Sequence, residues 1–533
     1  MLMTMMTITD QESKQDIVAP LITNICKTTT NKTIVDAKKT HSNDFIEKSI
    51  GTWGKWQLLI VIAVFLVKFP IAFHQLNIVF LAPSVSFMCN DNSNSTCSKN
   101  CSGYIYDRSL FSETIITQWN LVCEKSQLAN FAQTVTMLGI LIGNMVFGVI
   151  SDKWGRKAPL VWAVVIQVAS GTLCALAPWF WLFLLLRLIC ATATGGTMIT
   201  SFVIVMEVIG SKYRTTVGIL YQIPFNLGHV TLALVGYYFR NWRHFQLIIS
   251  VPPAILILYY WILPESPRWL LAMGKTKEVV QVLEKAAKFN NLPLGKIKEN
   301  VEEAARNTTV SSKKKAGNVF HLFKTPVMRK RTLCISFNWI SCGFCFYGVA
   351  QYMGRLAGNI FINVALSGAV QIPGTICTVW FIQILGRRNT LLIADLIAGI
   401  SIFLIVVVPP DYSWATTLLG CNSMFWLVMC FGTLYVYSGE LFPTTLRNAG
   451  IGFASLTARF GSMVSPFIMG LSSTSKWIPP TLFGVVPLIG ACLCFFLPET
   501  KNLPLPDTVA EAEILAKGQN KGGIEMTNTT TGC

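Results

Sequence analysis

The apolar positions of this chain gather into long blocks separated by polar stretches, and each block is about as long as a bilayer is thick. A helix needs about 20 apolar residues to cross the hydrocarbon core. Twelve blocks of that length can be drawn, over residues 57–82, 128–150, 158–177, 180–206, 215–237, 244–263, 332–354, 361–385, 389–408, 415–438, 449–472 and 478–497. Apolar residues within them follow helical spacing, interrupted by Gly and Pro, whereas strands of a membrane barrel would be about half as long and would alternate strictly. The pattern predicts an all-α membrane protein with twelve transmembrane helices. Between the blocks lie a polar tail over residues 1–56, a long loop over 83–127, a polar segment over 264–331 and a second tail over 498–533. The central segment reads as short amphipathic helices, such as Lys277–Phe289, followed by a Lys- and Ser-rich stretch near 308–316. The first 50 residues lack an early apolar core. No cleavable signal is expected, and the first spanning helix would direct insertion.

Composition agrees with this reading and charge adds an orientation. Apolar residues make up 52% of the 533 and charged residues only 13%, against about 25% charged in soluble domains. The formal net charge is +17, and its location argues against nucleic acid as a partner. Lys153, Arg156 and Lys157 follow the second block, and Lys212 and Arg214 the fourth. Lys313, Lys314, Lys315, Arg329, Lys330 and Arg331 lie between the sixth and seventh, Arg387 and Arg388 follow the eighth, and Arg447 follows the tenth. Basic residues mark cytoplasmic loops, so both termini are expected in the cytoplasm. Arg240 and Arg243 fall on the opposite side.

The loop over 83–127 would then face outward. It carries Cys89, Cys97, Cys101 and Cys123, and sequons at Asn94 and Asn100. Disulfides and glycans both belong to an oxidising, lumenal surface. Four cysteines allow three pairings, among which sequence does not choose. Sequons at Asn31, Asn307 and Asn528 fall on the cytoplasmic side and carry no such weight.

The two ends of the chain repeat each other. Gly155-Arg156-Lys157 recurs as Gly386-Arg387-Arg388 after 231 residues, Glu207 and Arg214 as Glu440 and Arg447 after 233, and Leu263-Pro264-Glu265 as Leu497-Pro498-Glu499 after 234. A near-constant offset spanning six helices implies two six-helix halves, 57–263 and 332–497, of like orientation. Transporters are commonly built this way, with substrate held at the interface of the repeats. The charged landmarks are gating candidates: Asp152, Arg156 and Lys157 could pair with Glu207 or a helix C-terminus when the cytoplasmic side is closed, with Arg214, Arg387, Arg388, Glu440 and Arg447 in matching roles.

Several of these motifs resemble a known family. Gly148–Lys157 (GVISDKWGRK) resembles the signature loop of the major facilitator superfamily. Asn120–Cys123 (NLVC), Pro264–Leu270 (PESPRWL) and Glu440–Asn448 (ELFPTTLRN) resemble the solute-carrier family of organic cation, carnitine and organic anion transporters, as does the Cys-rich first loop. The resemblance covers about residues 50–510 and implies plasma-membrane transport of small organic ions by alternating access.

Ionisable residues inside spanning helices are the binding candidates, because they are costly there unless they do something. Lys68 and His74 lie in the first block, Arg187 in the fourth, Asp395 in the ninth and Arg459 in the eleventh. Asp395, within two turns of Arg388, is expected near the cytoplasmic surface, and Arg187 to pair with backbone or a helix end. Lys68 either snorkels outward or faces the cavity. Arg459 has no acidic neighbour on its helix and invites an anionic ligand; in the resembled family, anion and carnitine carriers tend to have Arg there and cation carriers an acid. Gln371 falls where many cation and carnitine members carry Glu, and Thr375 where some anion carriers carry Lys. Tyr221, Phe346 and Tyr347 match cavity-lining positions, and their rings could hold a quaternary ammonium. Phe344, Tyr352 and Phe225 are further aromatic candidates for apolar walls.

The reading leans toward a carboxylate-bearing zwitterion or an organic anion, with an organic cation as the alternative and a coupling ion or exchanged anion left open. There are five His in all, with no His-Glu-x-x-His motif, no paired Cys/His metal spacing and no Walker loop. An enzyme, a metal site, a cofactor and an ATP-driven pump are therefore not expected. A substrate-sensing receptor on the same fold differs by lacking net flux.

Overall fold

The computed structural model describes residues 45–90, 97, 103–311, 319–409, 411–473, 475–503, 506, 509, 511 and 513. Asn94, Asn100, Cys101, the tails up to residue 44 and beyond 513, and most of the Lys- and Ser-rich stretch lie outside the described residues.

Twelve helical rods are traced among them: α1 Lys55–Leu76, α2 Cys123–Trp154, α3 Lys157–Leu176, α4 Phe180–Val208, α5 Ser211–Tyr238, α6 Trp242–Ile262, α7 Pro326–Met353, α8 Ile360–Leu385, α9 Arg387–Leu404, α10 Ser413–Leu441, α11 Arg447–Gly470 and α12 Ile478–Cys494. Each coincides with one predicted block, with the second starting earlier and ending later than the sequence suggests. Four rods are not single α-helices, and α2 opens with a 3₁₀ turn, Cys123–Lys125. In α1 the chain turns at Val67, and in α5 at Tyr221–Gln222. Each break precedes a proline, Pro70 or Pro224. Proline lacks an N–H and its ring clashes with the carbonyl four residues back. In α6 the pair Pro252-Pro253 opens a 3₁₀ stretch, Pro252–Leu258.

Packing reproduces the internal repeat. In the first half α2 packs on α4, α3 on α4 and α6, and α1 on α5. In the second half the corresponding pairs are α8 with α10, α9 with α10 and α12, and α7 with α11. Two equivalent contacts join the halves, α5 with α8 and α2 with α11. Backbones approach closely where side chains are small, as membrane helices require in the absence of a strong hydrophobic drive. A Cβ on Gly195 would stand 3.0 Å from Asn144 N across the α2–α4 contact, and one on Gly461 3.0 Å from Phe344 N across the α7–α11 contact.

The long loop before α2 is folded onto the first half. Strands β1 (Phe87–Cys89) and β2 (Tyr104–Tyr106) pair antiparallel. A short helix, Ile115–Trp119, follows a capping box at Thr114. Trp119 packs against Phe180, Phe183 and Trp242. Cys97 and Cys123 form a disulfide with Cα atoms 5.8 Å apart, which selects among the three pairings; Cys89 is disulfide-bonded as well. At the opposite, basic end, helices Pro267–Ala272, Thr276–Phe289 and Ile297–Ser311 cap the first half. Val279, Leu283, Ala286 and Ala287 are the buried stripe of the second of these, the amphipathic helix expected there. Asn290 then accepts from Trp56 N at 2.8 Å and donates to Gln57.

The halves are locked together at the loop end. Phe361 of α8 stacks on Phe80 with ring centroids 5.7 Å apart and meets Phe111 and Tyr237. Arg355 donates to Asn130 of α2, and Thr134 to Met463 O at 3.0 Å. Near the basic end, Gly148 of α2 and Gly452 of α11 face open space.

Candidate substrate site and gate

At the basic end each half builds the same clamp. Gly155 and Gly386 have φ of +96° and +86°, a region open essentially to glycine alone. The turn aims two successive backbone N–H groups at one carboxylate. Arg156 N donates to Glu265 Oε1 at 2.7 Å, with Lys157 N at 3.4 Å. In the second half Arg387 N and Arg388 N donate to Glu499 at 2.9 and 3.1 Å. The arginine side chain then reaches the next helix: Arg156 to Glu207 at 3.0 Å and to Asp152 at 2.6 Å, Arg387 to Glu440 at 2.8 Å.

Of the residues expected to pair with Glu207, Arg156 does so, while Asp152 pairs with Arg156 instead, and both pairs lie within the first half. Among the described residues Lys157 forms no such pair with its side chain; it lies over the Tyr260 ring at 4.9 Å. Arg388 lies against Phe495. Arg214 donates to Ile209 O, capping the end of α4. The outward-side exception Arg243 does the same for α3, donating to Ala175 O and Ala177 O at 3.3 Å for the latter. Its position answers to the dipole of that helix.

Midway along the rods the two breaks meet. Lys68, at the restart of α1, donates to Gln222 at the break of α5 at 3.4 Å and stands 4.0 Å above the Tyr221 ring. Tyr221 hydroxyl shares a 2.5 Å hydrogen bond with Ser201 of α4. Facing them from the second half is Arg459 of α11, which donates to Tyr347 hydroxyl at 3.3 Å and to Met198 Sδ at 3.6 Å. Tyr347 in turn donates to Gln75 of α1 at 2.6 Å. Phe346 adjoins Tyr347, Phe225 and Phe431 and forms an aromatic wall. Lys68 is 3% exposed and Arg459 8%, so neither snorkels to a surface. Two like charges bordering one space repel each other. Among the described residues no carboxylate pairs with either, while their contacts are amide, hydroxyl, sulfur and ring.

The structure thus brings together Lys68, Tyr221, Phe346, Tyr347 and Arg459. It does not bring His74 or Gln371 to them. His74 lies among α1, α3 and α4 with Nδ1 3.5 Å from Cys190 Sγ and its ring against Gly171. Gln371 belongs to a separate polar bridge between α5 and α8, where its Nε2 lies 3.1 Å from His229 Nδ1 and donates to Ser367 O. Asn226 donates to Thr375 Oγ1 at 2.9 Å and to Gln371 O one turn away. Phe344 packs on Phe483 inside the second half. Arg187, as expected, is satisfied structurally: it donates to Ala132 O, Thr136, Asn77 and Gln133.

Sequence reasoning missed Gln75, Gln222, Ser201, His229 and Asn226. The signal was present in the helical spacing of 226 with 229 and of 371 with 375, which sets polar groups on one face of an otherwise apolar helix. Asp395 needs correction. It is not at the surface but 1% exposed, because α7, α10 and α12 pack around it two turns into α9.

Comparison with known proteins agrees with this geometry. The sugar (and other) transporter family model matches residues 56–510. An organic cation transporter protein of Drosophila melanogaster is 35% identical over 431 residues, covering 80% of this chain and 78% of that one. Solute carrier family 22 member 6 of Pseudopleuronectes americanus is 34% identical, covering 78% and 75%. Solute carrier family 22 member 2 of Homo sapiens is 32% identical, covering 77% and 73%. Among solved structures, the xylose transporter XylE from E. coli in an inward open conformation superposes with a TM-score of 0.63 at 16% identity, over 86% of this chain and 99% of that one, a likeness of fold. The chain belongs to the sugar (and other) transporter family and, with those relatives, to the major facilitator carriers of solute carrier family 22.

Proposed function

We propose that this protein carries small organic ions bearing a carboxylate, either organic anions or carnitine-like zwitterions, across the plasma membrane by alternating access. The observation that carries the reading is Arg459: a guanidinium 8% exposed, between the halves, with a phenol and a thioether as its partners. A buried cation without an anion is costly, and an anionic substrate removes that cost. Lys68 adds a second positive charge on the facing half. Gln371, neutral and turned toward His229, offers no counter-charge for a cation. The names of the relatives, which include both organic cation and organic anion transporters, support the class of cargo and leave its sign to the site.

The division into halves 57–263 and 332–497, with 264–331 between them, supports rocking of one half on the other. The basic loops and both termini would lie in the cytoplasm, with the disulfide-bonded loop outside. On this orientation the contacts of Phe361 and Arg355 would hold the outer side closed. An exchanged organic anion fits this scheme, since two cations serve a returning anion equally well; a coupling ion is left open. The cation reading has one observation in its favour, the rings of Tyr221, Phe346 and Tyr347, which can hold a quaternary ammonium.

Uptake of radiolabelled carnitine, a dicarboxylate and tetraethylammonium into cells expressing the chain tests the proposal, with counterflow measured alongside. Carnitine or dicarboxylate uptake that disappears in Arg459→Ala at normal surface abundance supports it. Uptake of tetraethylammonium alone, indifferent to Arg459→Ala, refutes it. Binding without net flux would instead favour a sensor.

A further inference from the structure

Asp395 takes no part in the scheme above, yet it is a carboxyl group in the middle of the second half. It is 1% exposed. Four rods enclose it: α9 itself, α7 through Asn338, Cys342 and Cys345, α10 through Cys430, and α12 through Gly490 and Cys494. Cys430 donates its thiol to Oδ1 at 3.3 Å, and Oδ2 has no hydrogen-bond partner among the described residues. No lysine or arginine forms an ion pair with it there; Arg388, on the same helix, faces Phe495 instead. The remaining titratable groups around it are the four thiols, which bring no positive charge. Cys342 and Cys345 are turned to carbonyls of Leu427 and Phe483.

The unpartnered oxygen has a direction. Gly490 leaves a space where a Cβ would meet Asn338 Oδ1 at 3.1 Å and Asp395 Oδ2 at 3.4 Å. Both atoms bordering that space are acceptors. Asn338 already donates its amide hydrogens to Cys334 O at 2.9 Å and accepts from Cys494. Two acceptors border one small gap, and the Cys494 thiol goes to Asn338 while nothing among the described residues donates to Asp395 Oδ2; an ionised carboxylate there is unfavourable twice, uncompensated by a cation and close to another oxygen. A proton on Oδ2 removes both problems, because the neutral acid is a donor on the side where Asn338 Oδ1 lies.

We propose that Asp395 is a proton-binding site in the interior of the second half, occupied at neutral pH in the conformation described. Its loss of the proton would drive α9 away from α7 and α12. Of these, α7 carries Tyr347 and Phe346, so the state of this acid is felt at the substrate site without touching substrate. The ligand is the proton itself; the geometry offers too few hard ligands for a metal ion, and no group of three or more His, Cys, Asp or Glu suited to one occurs among the described residues.

The test uses the full-length protein purified in detergent. Infrared absorption should show a protonated-carboxyl C=O band at neutral pH that is missing from Asp395→Asn. The melting temperature of the wild type should fall by several degrees between mildly acidic and mildly alkaline buffer, and D395N should lose most of that dependence. Asn is the isostere of the neutral acid, so D395N should accumulate and melt like the wild type at acidic pH, whereas Asp395→Lys should not fold. A D395N that fails to fold, an identical infrared band in both proteins, or an unchanged pH dependence in the variant would each overturn the assignment. None of these readouts depends on which organic ion is carried, so their failure is separate from failure of the carrier reading.

Discussion

Alanine at Gly155 or Gly386 should destabilise the protein far more than alanine at another glycine of positive φ. At Gly155, φ and ψ are +96° and 177°, and at Gly386 +86° and 176°. Placing a side chain in this region costs about 1–3 kcal/mol. The added Cβ would also stand 2.9 Å from Glu265 Cδ or 2.6 Å from Glu499 Cδ, and nearer still to one carboxylate oxygen. The carboxylate must move away, and with it go the bonds from Arg156 N, or from Arg387 N and Arg388 N. Hydrogen bonds to a charged acceptor are worth about 1.5–3 kcal/mol each. The combined loss is on the order of 3–6 kcal/mol at either site. Gly274 is the control: its φ is +73° but nothing lies within 4 Å of an added Cβ, so alanine there should cost about 1–2 kcal/mol. Melting of the detergent-solubilised protein should rank G274A close to wild type, with G155A and G386A well below and near each other. In an Glu265→Ala background, G155A should cost only the backbone part. Equal losses in G155A and G274A, or no coupling between Gly155 and Glu265, would show that the carboxylate clamp is not what holds the turn.

Arg156→Ala and Arg387→Ala remove half-buried ion pairs with Glu207 and Glu440. Each should lower maximal transport rate several-fold while leaving the apparent KM within about twofold, since the pairs hold helices of one half together at the basic end and do not touch the central site; a selective rise in KM would refute this. Lys68→Met should weaken apparent affinity for a carboxylate substrate by about 1–2 kcal/mol, or roughly 5- to 30-fold, measured by competition at equal surface abundance; no change would place Lys68 outside the site. Gln371→Glu puts a carboxylate into the α5–α8 bridge and should reduce anion uptake while raising that of tetraethylammonium. Cys97→Ser and Cys123→Ser should lower surface abundance equally, and the double variant no further. Opening the 26-residue crosslink between them costs about 3.5 kcal/mol by chain entropy, so unequal single variants would argue for a different pairing.

What the sequence made legible, and what it did not, follows from the range of each signal. The twelve rods were readable because a bilayer demands continuous apolar length, and the repeat because charged landmarks recur at one offset. The breaks in α1 and α5 were not anticipated, although Pro70 and Pro224 mark them, because proline is common in spanning helices and the tolerated cases look alike in one dimension. The meeting of Lys68 with Gln222 and of Arg459 with Tyr347 joins residues 154 and 112 apart, and no local pattern encodes such a distance. Asp395 was misplaced for a related reason. Its separation from Arg388 gave its depth roughly, but only the packing of α7, α10 and α12 decides whether water reaches that depth.

The halves are copies in topology but not at the site. In the first half α1 and α5 are broken at the level of the site; in the second half their counterparts α7 and α11 run unbroken through the same level, as Pro326–Met353 and Arg447–Gly470. The first half therefore offers Lys68, Gln222 and Tyr221 on short segments whose backbone bonds are already interrupted, and such segments can shift with little further loss of hydrogen bonding. The second half offers Arg459, Tyr347 and Phe346 on rigid helices. A substrate carboxylate bound by Arg459 would draw Lys68 toward the same anion and relieve the repulsion between the two cations. That relief is a differential interaction between loaded and empty states, which is what a ligand must supply to shift a conformational equilibrium. On this argument the adaptable break, rather than the clamps at the basic end, is where binding is converted into movement of one half against the other.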